Sequence, residues 1–467
     1  MPLKIFKSRP ILAISILTFL CVLSGSILQL PFLEIACAII VLILFFMIAI
    51  KQPFIAAQIM LLLGTVRLSG SSGKGLFRDA SGKYGGFSMD GIRLIGFVII
   101  LAITILGTKK YKKQLKNVPK IFWLFISFAV LSLFWAEFPI EGLRFIFKII
   151  YPILIMILMM SHAHFNERNS LEMNIVVTAV GINVLFGAIS LLLGMGLSAG
   201  GGYGSPLRIG TISISAPPLA LFLSFGILIV FVNSIKSKKR NSFLLAILAL
   251  IQLIFTLQRM ALSIFFIGFV ILLLMNFGIK GKISIIFAVL IVVFSLVFSP
   301  IWMRFTKYEI NPKEWFSLLK SSPEVALSII NTQGRYEIYS YAITELIAKK
   351  PLWGYGAGKG QYGVYKANNW GNDGDHIRLL IDFGIFGWLL YILFLISFAI
   401  KILKRRRFLD NNGKLIASIA IVGLIQYLFA MITDNPIDYY DIFSQYIFIF
   451  IGLALAWPNK KILRSFE

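Results

Sequence analysis

Histidine, cysteine and acidic side chains are all scarce. The 467 residues carry 3 His, 2 Cys and 20 Asp plus Glu, against 45 Lys plus Arg. Cys21 and Cys37 both lie in apolar runs, so neither a disulfide framework nor a cysteine metal site is expected. Charge of either sign is also thin, at 14% of residues, while 58% are hydrophobic, and this balance excludes a soluble protein of such a size. What fills the chain is a succession of apolar runs, and it reads as a polytopic membrane protein. A net charge of +25 would suit a nucleic-acid partner. The basic residues fall between the apolar runs, however, so they point to topology and not to nucleic acid.

About fourteen apolar spans are legible, near 11–30, 31–50, 53–68, 91–107, 120–135, 143–160, 172–195, 211–233, 243–258, 260–278, 282–300, 377–400, 415–433 and 441–457. Several are short enough to be tilted, re-entrant or merged, which gives about 12 to 14 crossings. The first follows Lys4, Lys7 and Arg9 and resembles a signal peptide, but without an obvious cleavage site it is read as a retained helix. With alternating spans the basic clusters fall on one side: Lys109 to Lys120, Lys236 to Arg240, Lys280 with Lys282, Lys401 to Lys414, and Lys460 to Arg464. That side is expected to be cytoplasmic, with both termini there. Glu34, Glu137, Glu141, Asp434, Asp438 and Asp441 fall on the other side. So does 301–376, a loop longer than a connection requires and itself patterned as helix. The Gly- and Ser-rich loop 69–90 joins it there, although its Lys74, Arg78 and Lys83 break the charge rule. The expected organisation is an all-α transmembrane bundle: helices over 1–300, a helical external cap over 301–376, and further helices over 377–467.

The stretch Gly334 to Gly387 concentrates the unusual features. Ile338, Ala342 and Leu346 form one row at helical spacing, with Tyr339, Ile343 and Ile347 beside it, so a helix is expected from about Arg335 to just before Pro351. An arginine at a helix N-terminus adds its charge to unpaired backbone N–H groups and makes an anion site, with phosphate the natural occupant. Gly354, Gly356, Gly358, Gly360 and Gly363 let the following backbone turn sharply and approach a ligand. No strand precedes them, which argues against a nucleotide-binding loop. His376 then stands immediately before the run Ile377 to Ile400, placing an imidazole at the membrane surface.

Other polar residues mark the same edge. Arg259, in TLQRMALS, separates two apolar spans, and Arg208 opens RIGTISISAPPLA before another. Arg144 and Lys148 lie one turn apart on one helical face, and snorkelling to the headgroups is as good a reading of them as a site. Asp373 and Asp375 read as residues of a solvated loop, there being too few oxygen ligands beside them for a metal. His162 and His164 read as ordinary loop residues. Trp353, Tyr355, Tyr362, Tyr365 and Trp370 suit sugar stacking and an interfacial belt equally well.

In their order, RIG…PPLA, LQRMALS, GRYEIYSYAITELIAKKPLWGYGAG and HIRLLIDFGIFG resemble the O-antigen ligase and polymerase superfamily of bacterial envelopes, over roughly residues 200–390. Ile377 and Pro218 stand where that family often has asparagine, and Asp382 stands where a glutamate is common. The resemblance implies a GT-C-like fold in the bacterial cytoplasmic membrane. It also implies transfer of glycan from a polyprenyl-diphosphate-linked oligosaccharide to a hydroxyl of a glycan or lipid A-core acceptor at the outer face, without metal or cofactor. Arg208, Arg259 and Arg335 then hold the diphosphate through guanidinium forks. His376 is the general base, and Asp382, Arg144 and Lys148 play acceptor-binding or supporting roles. A flippase or other transporter of lipid-linked glycan is the competing class, with the arginines binding a moving anion.

Overall fold

The computed structural model describes residues 46, 48, 89–162, 171–192, 197–199, 207–210, 216–237, 240–276, 312–322, 325, 335–360 and 374–458. The spans expected before residue 69 and at 282–300, the loop 69–88 and the stretches 301–311, 323–324, 326–334 and 361–373 of the expected cap therefore lie outside the described residues, as do His164, Lys280, Asp373 and Lys460.

Each expected span that falls within the described residues is a helix. In chain order these are α1 (Met89–Gly107), α2 (Lys109–Gln114), α3 (Lys120–Leu131), α4 (Pro139–His162) and α5 (Leu171–Leu192). A ribbon of β1 (Leu197–Ala199) against antiparallel β2 (Leu207–Ile209) follows. Then come α6 (Ala216–Ser237), α7 (Arg240–Phe255), α8 (Arg259–Asn276), α9 (Pro312–Ser321) and α10 (Arg335–Tyr341), which continues as a π turn over Ala342–Ile347. The last are α11 (Asp375–Arg406), α12 (Asn411–Thr433) and α13 (Gln445–Ala456), the last entered through a π turn at Tyr440–Ser444. Apart from the short ribbon, the described chain is helical. Six of these helices are long and apolar enough to cross a membrane, or seven if Lys109–Asn117 and Lys120–Trp135, bent by 95°, are one span. Helices are the form that satisfies every backbone group without water, and the chain is a multi-pass membrane protein.

Helices α4, α6, α12 and α13 supply most of the buried core. The most apolar window of α6 is 83% buried against 39% for α5 and α8, so α6 is central and α5 and α8 are peripheral. Helix α13 packs on α4 and α12, α8 on α12 and α6, and α11 on α12 and α3. Aromatic rings fill these seams, with Phe222 on Tyr446 at 5.1 Å and Phe394 stacked on Phe448 at 6.3 Å between centroids. Within the core, Gln426 donates to the carbonyls of Ile264 and Ser224, tying α12 to α8 and α6 where no water would satisfy an amide.

The bundle has two chemically distinct ends. Lys359 meets Glu137 at one, together with Lys148, Arg378 and Asp438. At the other, Lys401 reaches the Asn117 carbonyl, Arg405 that of Trp457, and Arg406 that of Met275. Among the described residues, the loops that the charge pattern assigned to a common side lie together. We call these the loop end and the basic end.

Candidate functional site

The loop end is organised around the first turns of α11. Helix α10 docks on it through the row read from the sequence: Ile338, Ala342 and Leu346 are buried in one cluster with Ile381, flanked by Ile377, Tyr339 and Tyr355. The adjacent row is not uniform, since Ile343 is 52% exposed. The shift to π geometry at Ala342 rotates the later residues relative to a regular helix, which accounts for that departure. The Tyr339 hydroxyl donates to the Ile432 carbonyl at 2.5 Å, fixing α10 to the end of α12 as well.

Helix α11 is broken at Gly384, where φ is 64° and ψ is −171°, a conformation essentially confined to glycine. The break releases backbone groups on both sides, and the segment after α10 takes them up. Tyr355 and Gly356 donate to the carbonyls of Ile381 and Asp382, both at 2.9 Å. From the other side of the break, Ile385 and Phe386 donate to the carbonyls of Pro351 and Leu352, at 2.7 and 3.3 Å. The glycine run therefore approaches another part of the chain. A Cβ at Gly356 would stand 2.6 Å from the Cα of Ala136, and one at Gly384 would run into the Leu352 carbonyl. The same segment gathers around the side chain of Asp382, whose Oδ1 accepts from Gly360 N–H at 2.5 Å, with the N–H groups of Gly358 and Lys359 also turned to the carboxylate. Its Oδ2 has no hydrogen-bond partner among the described residues.

Asp375, Arg378 and Asp382 lie on one face of α11 at spacings of three and four. Arg378 is 2% exposed. Its Nη1 donates to both carboxylate oxygens of Asp438 at 3.1 Å, and its guanidinium lies 3.8 Å from the centroid of the Phe145 ring. Asp375 sits 3.9 Å from that Nη1 and accepts from Ile437 N–H at 2.7 Å. Lys148 reaches the same Asp438 at 2.5 Å. Burial alone would push the Asp438 carboxyl upward, but the Arg378 guanidinium and the Lys148 ammonium outweigh it and hold the group well below the usual carboxylate range. Asp375 corrects the expectation of a solvated loop residue. It is fully buried, because the turn 434–438 closes over the start of α11 and supplies the backbone donor the carboxylate needs.

His376 is half-buried. Its Nδ1 accepts from the Trp388 indole N–H at 3.1 Å, and Nε2 lies 3.2 Å from the Leu428 carbonyl. A carbonyl only accepts, so this pairing assigns the proton to Nε2 and leaves Nδ1 as the basic nitrogen, covered by Trp388. The other residues singled out in the sequence fall into two groups. Arg335 opens α10, docked on α11, and Arg144 pairs with Glu141 at 2.7 Å beside Lys148 on α4. Arg208 lies on β2, which packs against α5 and α7, and Arg259 opens α8 immediately beyond α7. The structure thus gathers His376, Asp382 and Lys148 with the helix that Arg335 starts, and places the strand of Arg208 near the turn of Arg259.

From the sequence alone no site role attaches to Arg378, Asp438, Trp388 or Gly384. The spacing of Asp375, Arg378 and Asp382 was a usable signal for a charged helical face, whereas nothing local links Asp438 or Trp388 to that face. Among the described residues no three His, Cys, Asp or Glu side chains are grouped so as to hold a metal ion. Neither the models of known protein families nor the curated proteins compared with the chain match it.

Proposed function

We propose that the chain is a membrane glycosyltransferase. It moves or polymerises polyprenyl-diphosphate-linked oligosaccharide onto a glycan or lipid acceptor, in the manner of O-antigen ligases and polymerases, at the outer face of the bacterial cytoplasmic membrane. The observation that carries this reading is the docking of α10, opened by Arg335, onto the very turns of α11 that His376 begins. This docking puts the two motifs at one membrane-edge site. In the reaction the acceptor hydroxyl attacks the anomeric carbon, the bond from that carbon to the diphosphate oxygen breaks, and polyprenyl diphosphate leaves with the electron pair. His376 takes the hydroxyl proton on Nδ1, which requires the Trp388 N–H to give way first. Arg335, Arg259 and Arg208 offset the charge that accumulates on the departing diphosphate. Asp382, by gathering the N–H groups of 358–360, and Lys148, through Asp438, hold the surrounding backbone in place.

The experiment uses purified protein with a polyprenyl-diphosphate-linked donor and analyses the glycan product by mass. Replacing His376 by Ala should leave donor binding near normal and lower turnover by roughly 100- to 10,000-fold. A folded, fully active variant would remove the base. One observation favours a second reading: a span broken at Gly384 and bridged by loop backbone is also how transporters build mid-membrane sites. A flippase would carry the labelled donor across vesicles without forming any new linkage.

A further inference from the structure

The basic end carries a groove that the proposed reaction does not use. It lies between the ends of α6, α8 and α11 and the start of α12, with a volume of about 420 Å³. Lys236, Arg406 and Lys414 contribute to its lining from three different helices, and Ile235, Leu272 and Leu415 form part of its apolar wall. The wall opens outward from the bundle, as the 51% exposure of Ile235 shows.

Among the described residues the three cations share one nearby carboxylate at most, Asp410 beside Lys236, and none of them forms an ion pair. Asp410 is the carboxylate that acts on Lys236, and its Oδ1 is already committed to Gly413 N–H at 2.7 Å and to the Trp457 indole N–H at 2.8 Å. Arg406 is held in place by its bond to the Met275 carbonyl at 2.7 Å, and its Nε has no partner among the described residues. Three gathered cations repel one another, and an apolar wall at the end of membrane-spanning helices is wetted at a cost. One ligand class answers both: a phosphate for the cations and a hydrocarbon chain for the wall.

We propose that this groove binds an anionic phospholipid, its headgroup phosphate between Lys236, Arg406 and Lys414 and one acyl chain along the exposed Ile235 and the partly exposed Leu415. The site is at the opposite end of the bundle from the candidate active site and stands independently of the proposed reaction. A second groove at the same end, of about 470 Å³ and lined in part by Lys120, Ile121, Leu393 and Lys401, serves as an internal control. There the lining offers two lysines and no arginine, and the Lys401 ammonium is bonded to the Asn117 carbonyl at 3.2 Å.

The test is native mass spectrometry of the full-length protein in detergent with equal amounts of phosphatidylglycerol and phosphatidylcholine, and separately with inorganic phosphate. Phosphatidylglycerol should be retained preferentially, and the double variant Lys236→Gln with Lys414→Gln should lose about 30-fold in its retention, two headgroup contacts being removed. Lys120→Gln with Lys401→Gln should change it less than about threefold. Ile235→Glu, at an exposed position that the fold does not depend on, should abolish retention without touching a lysine. Equal retention of the two lipids, equal losses in the two double variants, or inorganic phosphate held as tightly as the lipid would each overturn the proposal.

Discussion

The charged side chains at the two ends of the bundle behave in opposite ways. At the loop end Asp375, Arg378 and Asp382 are buried, Asp438 is largely covered, and the four meet one another or backbone N–H groups. At the basic end Lys109, Lys110, Lys112, Lys113 and Lys116 are exposed, and the arginines of α11 bond to carbonyls and not to carboxylates. Exposed lysines can hold a helix end at a membrane surface with no fixed geometry, since headgroups and water adapt to them. Buried charges tolerate no such freedom, because each loses its hydration and depends on a partner in a definite place. Position is therefore specified for the charges of the loop end, whereas for the exposed lysines of the basic end only polarity is.

The largest test of this contrast is Arg378→Met. It leaves the carboxylates of Asp375 and Asp438 buried without their guanidinium and should lower stability by about 3–5 kcal/mol. Lys112→Gln at the other end should stay within about 0.5 kcal/mol. Titrated SDS unfolding of the purified proteins reads both, and similar losses would break the contrast. Gly384→Ala should follow, at about 1–3 kcal/mol for the φ/ψ strain alone, before any clash with the Leu352 carbonyl. Its specific mark is detachment of the stitched segment. In a background without Cys21 and Cys37, a cysteine in place of the fully buried Ala357 should be protected from a thiol reagent in the parent and reactive in the variant.

Trp388→Phe removes one hydrogen bond to His376 and should cost about 0.5–1.5 kcal/mol. If Nδ1 is the working base, turnover survives this change while His376→Ala abolishes it, and a parallel loss of activity in both variants would make the histidine structural. The smallest effect concerns pH. A carboxyl whose folded pKa is depressed contributes stability that is fully present above its unfolded value, about 3.9, and is lost as pH falls through the lower folded value. For Asp438 the stability difference between the parent and Asp438→Asn should therefore change by less than about 0.5 kcal/mol from about pH 8 to about pH 5. A difference that shrinks steeply in that window would mean that Arg378 and Lys148 do not hold the carboxyl down.

Much of the fold was legible because it is encoded locally. Apolar runs of span length give α4, α5, α6, α8 and α12 directly, and the row Ile338, Ala342, Leu346 gives the docking face of α10. The loop end was read less well, for a physical reason. Asp438 and Arg378 are 60 residues apart in sequence, and Lys148 and Asp438 are 290 apart, so no spacing rule relates them. The glycine run was recognised as permitting close backbone approach. What approaches it is α11 itself, and that depends on a break at Gly384 within a run that otherwise reads as continuous helix.

That break has a consequence for biogenesis. In a continuous nascent helix the N–H groups of Ile385 and Phe386 would pair with the carbonyls of Ile381 and Asp382, so the break at Gly384 leaves these groups bare unless 351–356 supply the partners they have in the finished protein. Each such group costs several kcal/mol if it meets hydrocarbon. Residues 351–356 are synthesised before α11, so they are already available when the span leaves the translocon. Chain order places the chaperoning segment ahead of the helix that depends on it.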